Sequence, residues 1–392
     1  MNILSDALME ITSRPDIIFV EGKGSWLTDT NGAKYLDFSQ GWAVNSLGHS
    51  HDEIVRALSD QAARVINTGP AFYNAPMLEL ATLITKHSCF DEVFFANSGA
   101  EANEGAIKLA RKWGAKHKHG AHEIITMHNG FHGRTLATMS ASGKPNWETL
   151  YEPKVPGFPK VPINDLSAVE SLITDRTVAV MLEPIQGEAG VILAEKEYLQ
   201  GLRRLTEDKE IVLIVDEVQS GAGRTGDLFS YEFYGIEPDI MTLGKGLGSG
   251  VPISALCAKR RFCTFEYGDQ GGTYNGNPLV SAAACAVLRV LLKPGFLQGV
   301  RDAGDYLQHK LSQLIRTFGA GHTRGRGLLV ALILDEPVAQ IIVEQCLKNG
   351  LILNAPKPNI IRFTPSLITD KKEIDQMADI LEGVMKTTLN SQ

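Results

Sequence analysis

The chain has 392 residues, enough for roughly two to three domains. Hydrophobic residues make up 44% and charged residues 21%, the balance of a soluble globular protein with a large core. A net charge of −7 argues against nucleic acid or an anionic membrane as the main partner. No run of about 18 apolar residues is present, so no transmembrane span is expected. The opening stretch MNILSDALMEITSRPD has acidic residues and no long apolar core, so no secretory signal is expected either. Five cysteines (Cys89, Cys257, Cys263, Cys285 and Cys346) are scattered without a CxxC pair, which fits reduced thiols in a cytoplasm. No metal site is expected.

In chain order, Val93–Ala96 reads as a strand, followed by a helix through SGAEANEGAIKLARKW. There Ala102, Ala106, Leu109, Ala110 and Trp113 recur at helical spacing. The basic cluster from Lys112 to His119 reads as the solvated end of that helix. Glu123–Met127 and Val178–Leu182 are the second and third strands. Ile211–Val215, apolar on both faces as a buried parallel strand should be, is the fourth, and Ile240–Leu243 the fifth. Strands alternating with helices predict an α/β fold with a mostly parallel central sheet flanked by helices. After about residue 290 the texture changes. Gly299–Leu314 reads as a helix, Gly327–Leu334 as a strand, Glu344–Lys348 as part of a helix and Ile360–Phe363 as a short strand, with Asp370 capping a terminal helix. The division expected is a large domain over 46–288, a smaller α+β domain over 289–392, and a segment 1–45 packing with the smaller one.

Ligands of an open α/β sheet bind outside the carboxyl ends of the strands, and four such ends carry unusual polar residues. Asn97 to Glu104 joins the first strand to its helix. Small residues there let a backbone approach an anion such as a phosphate, although Ser98 as a plain helix cap explains the same residues. Asp216 ends the apolar run IVLIV and needs a cation, a metal or several donors. It could be a structural ion pair, a magnesium-holding acid or the partner of a protonated pyridine ring. The magnesium reading lacks its GxxxxGK[ST] loop. Lys245, between Gly244 and Gly246, is open sterically. In a buried cleft its amine loses its proton more easily, as Schiff-base chemistry requires; a surface lysine in a glycine loop is the alternative. Phe131-His132-Gly133-Arg134 offers a ring for stacking and a guanidinium for a carboxylate, though Phe131 is equally explained as core. Gly221 to Gly226 matches GxGxxG, but five residues separate it from the strand and no long helix follows, so a nicotinamide dinucleotide site is not expected.

These segments resemble the class III aminotransferases, within them the acetylornithine and ornithine branch. The resemblance rests on NSGAEANEGAIKLAR, FHGRT, EPIQGEAGV, IVDEVQSGAGRTG, PDIMTLGKGLG and GGTYNGNPL, and runs over nearly the whole chain. It implies the type I fold of enzymes that use pyridoxal 5′-phosphate (PLP), acting as a homodimer with sites at the subunit interface. Lys245 would carry the cofactor and shuttle the proton, and Asp216 would pair with the ring nitrogen. Phe131 would stack on the ring, and Gln219 would lie near its phenolic oxygen, with Glu217 and Val218 beside it. Ser98, Gly99 and Ala100 would hold the phosphate, joined by Thr273 of the other subunit. Arg134 would bind the α-carboxylate of an N-acetylornithine-like donor. Arg362 would bind that of the acceptor 2-oxoglutarate, with Glu188 as its switchable mask and Gly272 near the substrate. Ala189, Ser249, Tyr274 and Asn275 depart from the family's common residues along the substrate channel, which bears on the donor rather than the reaction.

Overall fold

The computed structural model describes residues 7–389; residues 1–6, which the leader reading and the 1–45 segment include, lie outside these. Strands β1 (Phe19–Lys23), β2 (Trp26–Asp29) and β3 (Lys34–Asp37) form an antiparallel meander. A central seven-stranded sheet follows. Its strands are β4 (Glu92–Ala96), β5 (Glu123–Met127), β6 (Lys160–Val161), β7 (Thr177–Leu182), β10 (Val212–Asp216), β11 (Ile240–Leu243) and β12 (Ser254–Ala258). The short hairpin β8 (Ile185–Gln186) and β9 (Ile192–Leu193) sits after β7. The order across the sheet is β4-β12-β11-β10-β7-β5-β6, and β12 alone runs against its neighbours.

Every residue of β7 and β10 is buried, because helices cover both faces of the sheet. Leu213 and Val215 point into the larger hydrophobic cluster. Val212 and Ile214 point the other way, into a cluster with Ala106, Ile107 and Ala110 of the helix Gly99–His117. This alternation fixes the next side chain. Asp216 follows Ile214 onto the face covered by that helix. The basic end of the same helix is paired: Lys112 with Glu266 and Asp269, and Lys116 with Glu266.

Beyond the helix Phe296–Phe318 come β13 (His322–Arg326), β14 (Leu329–Ile333), β15 (Leu351–Ile352), β16 (Asn354–Lys357) and β17 (Ile360–Phe363). Four of them form an antiparallel sheet ordered β13-β14-β17-β16, while β15 pairs parallel with β3, so both chain ends share one sheet. Asp370 accepts from the Glu373 amide at 2.9 Å at the start of the helix Lys371–Leu389. The two parts are tied together by Arg224. It is fully buried in the Gly221–Gly226 turn and donates to the carbonyls of Leu328 at 3.0 Å and Pro365 at 2.5 Å. That stretch is therefore a structural turn rather than a phosphate loop.

All five strands expected in the central sheet are present, two with the expected bounds and three shifted by one residue. The sequence reading missed β12, whose Ser-Ala-Leu-Cys-Ala has little intrinsic strand preference. Pairing between β4 and β11 makes it a strand. Among the described residues no single helix is long and apolar enough to cross a membrane. No group of three or more His, Cys, Asp or Glu is placed there to hold a metal ion.

Leu213→Ala, at a fully buried site in β10, should lower the unfolding free energy by about 2–5 kcal/mol. The shift in urea midpoint measures it, and a loss under 1 kcal/mol would mean that the sheet centre collapses around the gap.

Candidate active site

Strands β10 and β11 lie side by side with Asp216 opposite Thr242, so Lys245, three residues further on, emerges beside Asp216. Both line one cavity of about 260 Å³. Asp216 is buried, and three donors or ring atoms hold it. Asn103 Nδ2 donates to Oδ2 at 2.7 Å, His132 Nδ1 lies 2.8 Å from the same oxygen, and the Val218 amide donates to Oδ1 at 3.0 Å. Asn103 also donates to the His132 carbonyl at 2.7 Å and accepts from the Thr242 hydroxyl at 2.7 Å. One asparagine thus links the helix Gly99–His117, the Phe131–Arg134 loop and two strand ends. Lys245 is held in the left-handed region at φ 40°, a conformation costing about 1–3 kcal/mol in a residue with a side chain. Burial pushes its amine below the ordinary lysine value; Glu188 opposes that shift and Arg362 adds to it.

Of the other expected residues, Gly99, Ala100, Phe131, Arg134, Glu188, Val218 and Gln219 line the same cavity. Ser98 sits at its edge as an exposed helix cap. It accepts from the Glu101 amide at 3.3 Å while the Glu101 carboxylate accepts from the Ser98 amide at 2.7 Å, so the plainer reading of Ser98 is realised. Glu217 does not line the cavity. The strand alternation turns it to the opposite face, where its carboxylate accepts from the amides of Ser230 at 2.6 Å and Tyr231 at 2.7 Å, and burial pushes it up to about 8. Gly272 and the exposed Thr273 lie outside the cavity of their own chain, on a loop that Asn275 ties to Asn97 at 2.9 Å.

Arg362 on β17 is buried just behind the cavity wall. Its Nη1 donates to Glu188 Oε1 at 2.7 Å and to the Gly187 carbonyl at 3.0 Å, and its Nη2 to Asn354 Oδ1 at 2.8 Å. Burial would raise the Glu188 carboxyl, but Arg362 and Lys245 outweigh it and hold the group at about 2. Arg134 is exposed at the mouth, its guanidinium 5.2 Å from the Trp147 ring.

Four contributors escaped the sequence reading. Asn103 is a polar residue beside the apolar stripe of its helix, and that is a readable signal. Glu183 follows a strand as apolar as the one before Asp216, so the same rule finds it. It lines the cavity, accepts from the Phe131 amide at 2.8 Å and, through burial and the charge of Asp216, is pushed up to about 7. Trp147, packed 5.7 Å from Phe131, and Lys144 carry no local signal.

PLP fits these residues. Lys245 supplies an amine for its aldehyde, and Asp216 a fixed carboxylate for its ring nitrogen. Phe131 and Val218 give apolar walls, and the helix start at Gly99 leaves amides free for a phosphate. Gln219 Nε2 is buried without a hydrogen-bond partner among the described residues, as a donor kept for a ring oxygen would be. The cradle tolerates no larger residue. A Cβ on Gly99 would lie 2.6 Å from Val218 Cγ1, and one on Gly187 would overlap the Gln219 amide.

The family described as aminotransferase class-III matches residues 10–385. An acetylornithine aminotransferase of Ralstonia nicotianae is 59% identical over 387 residues, covering 97% of each chain. Acetylornithine aminotransferase 2 of Bordetella bronchiseptica is 56% identical over 383 residues, again covering 97% of each. Among solved structures, the ornithine aminotransferase of Toxoplasma gondii superposes with a TM-score of 0.94 at 31% identity, covering 98% of this chain and 94% of that one. The N-acetylornithine aminotransferase of Stenotrophomonas maltophilia gives 0.85 at 32% identity, covering 97% and 98%.

Glu183→Gln tests the buried carboxyl. A folded-state value of about 7 against an ordinary 4.5 means that ionisation opposes folding, so parent stability declines as pH rises from about 4.5 to about 7. In cofactor-stripped protein the variant should gain stability over the parent across that window and hold a constant advantage above it. Unfolding midpoints taken at a series of pH values check this, and parallel profiles would refute it.

Proposed function

The chain belongs to the class III aminotransferases, and from that premise we propose that it moves the terminal amino group of N-acetylornithine, or a closely similar ω-amine, to 2-oxoglutarate. The similarity of relatives bearing that activity in their names supports the donor. The observation that carries the reading is the shared cavity of Lys245 and Asp216.

PLP is the cofactor; when bound, it supplies an aldehyde to receive the amino group and a ring that draws electrons from the carbon bearing that group. The side chains do the rest. Lys245 Nζ, its proton loosened by burial, would take the proton from the carbon bearing the amino group and hold it for return, and would work in reverse for the acceptor. Asp216 presents a carboxylate whose position Asn103, His132 and Val218 fix, so it would hold the bound ring nitrogen without reorganising. Gln219, its Nε2 buried without a partner among the described residues, would donate to the bound ring, and Phe131 would cover it.

Arg134 at the mouth takes the donor's α-carboxylate through paired hydrogen bonds. Arg362 takes that of 2-oxoglutarate. Glu188, 2.7 Å from Arg362 Nη1, masks that arginine while a donor without a second carboxylate is bound. Gly272 and the exposed Thr273 serve the site of a second copy, which makes the working unit a homodimer. Of the described residues, 46–288 form the cofactor-holding part, and 289–389 with 7–45 the part that brings Arg362. Five unpaired cysteines support a place in the cytoplasm.

Lys245→Ala should abolish turnover and the covalent retention of PLP after borohydride reduction; steady-state transamination by that variant would remove the central assignment. Arg134→Ala should raise the donor KM about ten- to a hundredfold, the loss of one charge-assisted pair, while moving the acceptor KM far less. Equal effects on both would refute its role.

A further inference from the structure

We propose that Lys144 is a positioning residue for the acceptor half of the reaction, offering Glu188 a second cation to lean on when a dicarboxylate takes Arg362. The inference rests on the reading of Arg362 and Glu188 given above. A carboxylate displaced from a buried arginine carries its charge into a partly dry cavity, where an unpaired charge is costly. It therefore needs a second partner within reach.

Lys144 is that partner. Glu188 bridges two cations with different oxygens: Oε1 lies 2.7 Å from Arg362 Nη1 and Oε2 lies 4.0 Å from Lys144 Nζ. A side-chain movement of about 1 Å converts the longer contact into a charge-assisted hydrogen bond. The ammonium is already placed, 4.8 Å from the centre of the Phe131 ring and 5.1 Å from that of Trp147, so little order is lost on pairing. The surrounding charges favour the arrival of a carboxylate. Burial lowers the Lys144 amine, Glu188 works against this, and the positive charges of Arg134 and Lys357 lower it further, with Glu183 the remaining negative neighbour. Lys245 also acts on Glu188, but the proposed chemistry occupies it. The two acid positions thus correspond to two states: at Arg362 the pocket is set for the amine, and at Lys144 it is set for the dicarboxylate.

The test uses holoenzyme carrying Lys144→Met, Lys144→Arg, Glu188→Ala and the Lys144→Met/Glu188→Ala pair. KM for donor and acceptor is measured, together with the Kd of glutarate, an unreactive dicarboxylate, by calorimetry. Lys144→Met should raise the acceptor KM and the glutarate Kd about tenfold, with kcat and donor KM within about twofold. Lys144→Arg should recover most of that loss. Glu188→Ala should tighten glutarate and weaken the donor. In its background Lys144→Met should change glutarate binding less than about twofold, because no carboxylate remains to be received. An equal loss with and without Glu188 would show Lys144 touching the acceptor directly and overturn the proposal. Unchanged constants in Lys144→Met, with Glu188→Ala behaving as expected, would overturn the role of Lys144 alone. Unchanged constants in Glu188→Ala would remove the masking of Arg362 and this inference with it. Should Lys144→Met fail to fold, Lys144→Gln, which keeps part of the stem and a polar end without the charge, carries the same expectations.

Discussion

A carboxylate at the end of a strand buried on both faces is the constraint from which the rest of the site follows. Burial of Asp216 without partners would cost several kcal/mol, and the chain meets this with donors from three directions. Each donor brings its own segment with it. Asn103 draws in the helix whose first turn borders the cavity, and His132 draws in the loop carrying Phe131 and Arg134. Val218 belongs to the turn that delivers Gln219. Thr242, bonded to Asn103, sets the strand that releases Lys245. What a ligand meets is one hydrogen-bonded unit built around a charge, and only its open side faces the cavity.

Three glutamates near that unit show how environment divides one chemistry into several. Glu217 and Glu183 are both buried and pushed up to about 8 and about 7, whereas Glu188 is held at about 2. The difference lies in neighbours. Glu188 faces Arg362 and Lys245, Glu183 faces a negative Asp216, and Glu217 has two backbone amides for company. Only Glu188 therefore enters the cavity as a firm anion near neutral pH, which suits a group whose task is to pair with a cation.

Much of this was legible in the sequence because it follows periodicity. The apolar runs ending at Leu182, Val215 and Leu243 mark strand ends, and an acid or a lysine placed there stands out. The family resemblance assigned Arg362, which local pattern does not distinguish from any arginine on a strand. What stayed hidden depends on tertiary placement. Ser254–Ala258 is a strand because two neighbours require it. Glu217 is adjacent to Asp216 in sequence, yet the pleat sends it to the opposite face. Trp147 and Lys144 reach the Phe131 ring from a segment whose composition reads as loop. The rule that singled out Asp216 applies equally to Glu183, which was overlooked because it sits inside a motif read for Glu188.

On the proposed function one pocket serves two substrates, so one member of its ion pair has to move. The arginine cannot. Arg362 is fixed by the Gly187 carbonyl, by Asn354 and by its place in β17, and its side chain is only 2% exposed, against 25% for Glu188. Removing one partner of a buried pair costs about 3–5 kcal/mol, because the other charge is left bare. If the incoming carboxylate takes the place of Glu188, the arginine is never bare, and what remains to be offset is the smaller cost of moving a partly solvated anion. The reverse design, a fixed acid with a mobile arginine, would strip the buried cation of the Gly187 carbonyl and Asn354 as it moved. Placing the mobile charge on the solvent side is the arrangement that keeps the buried cation paired.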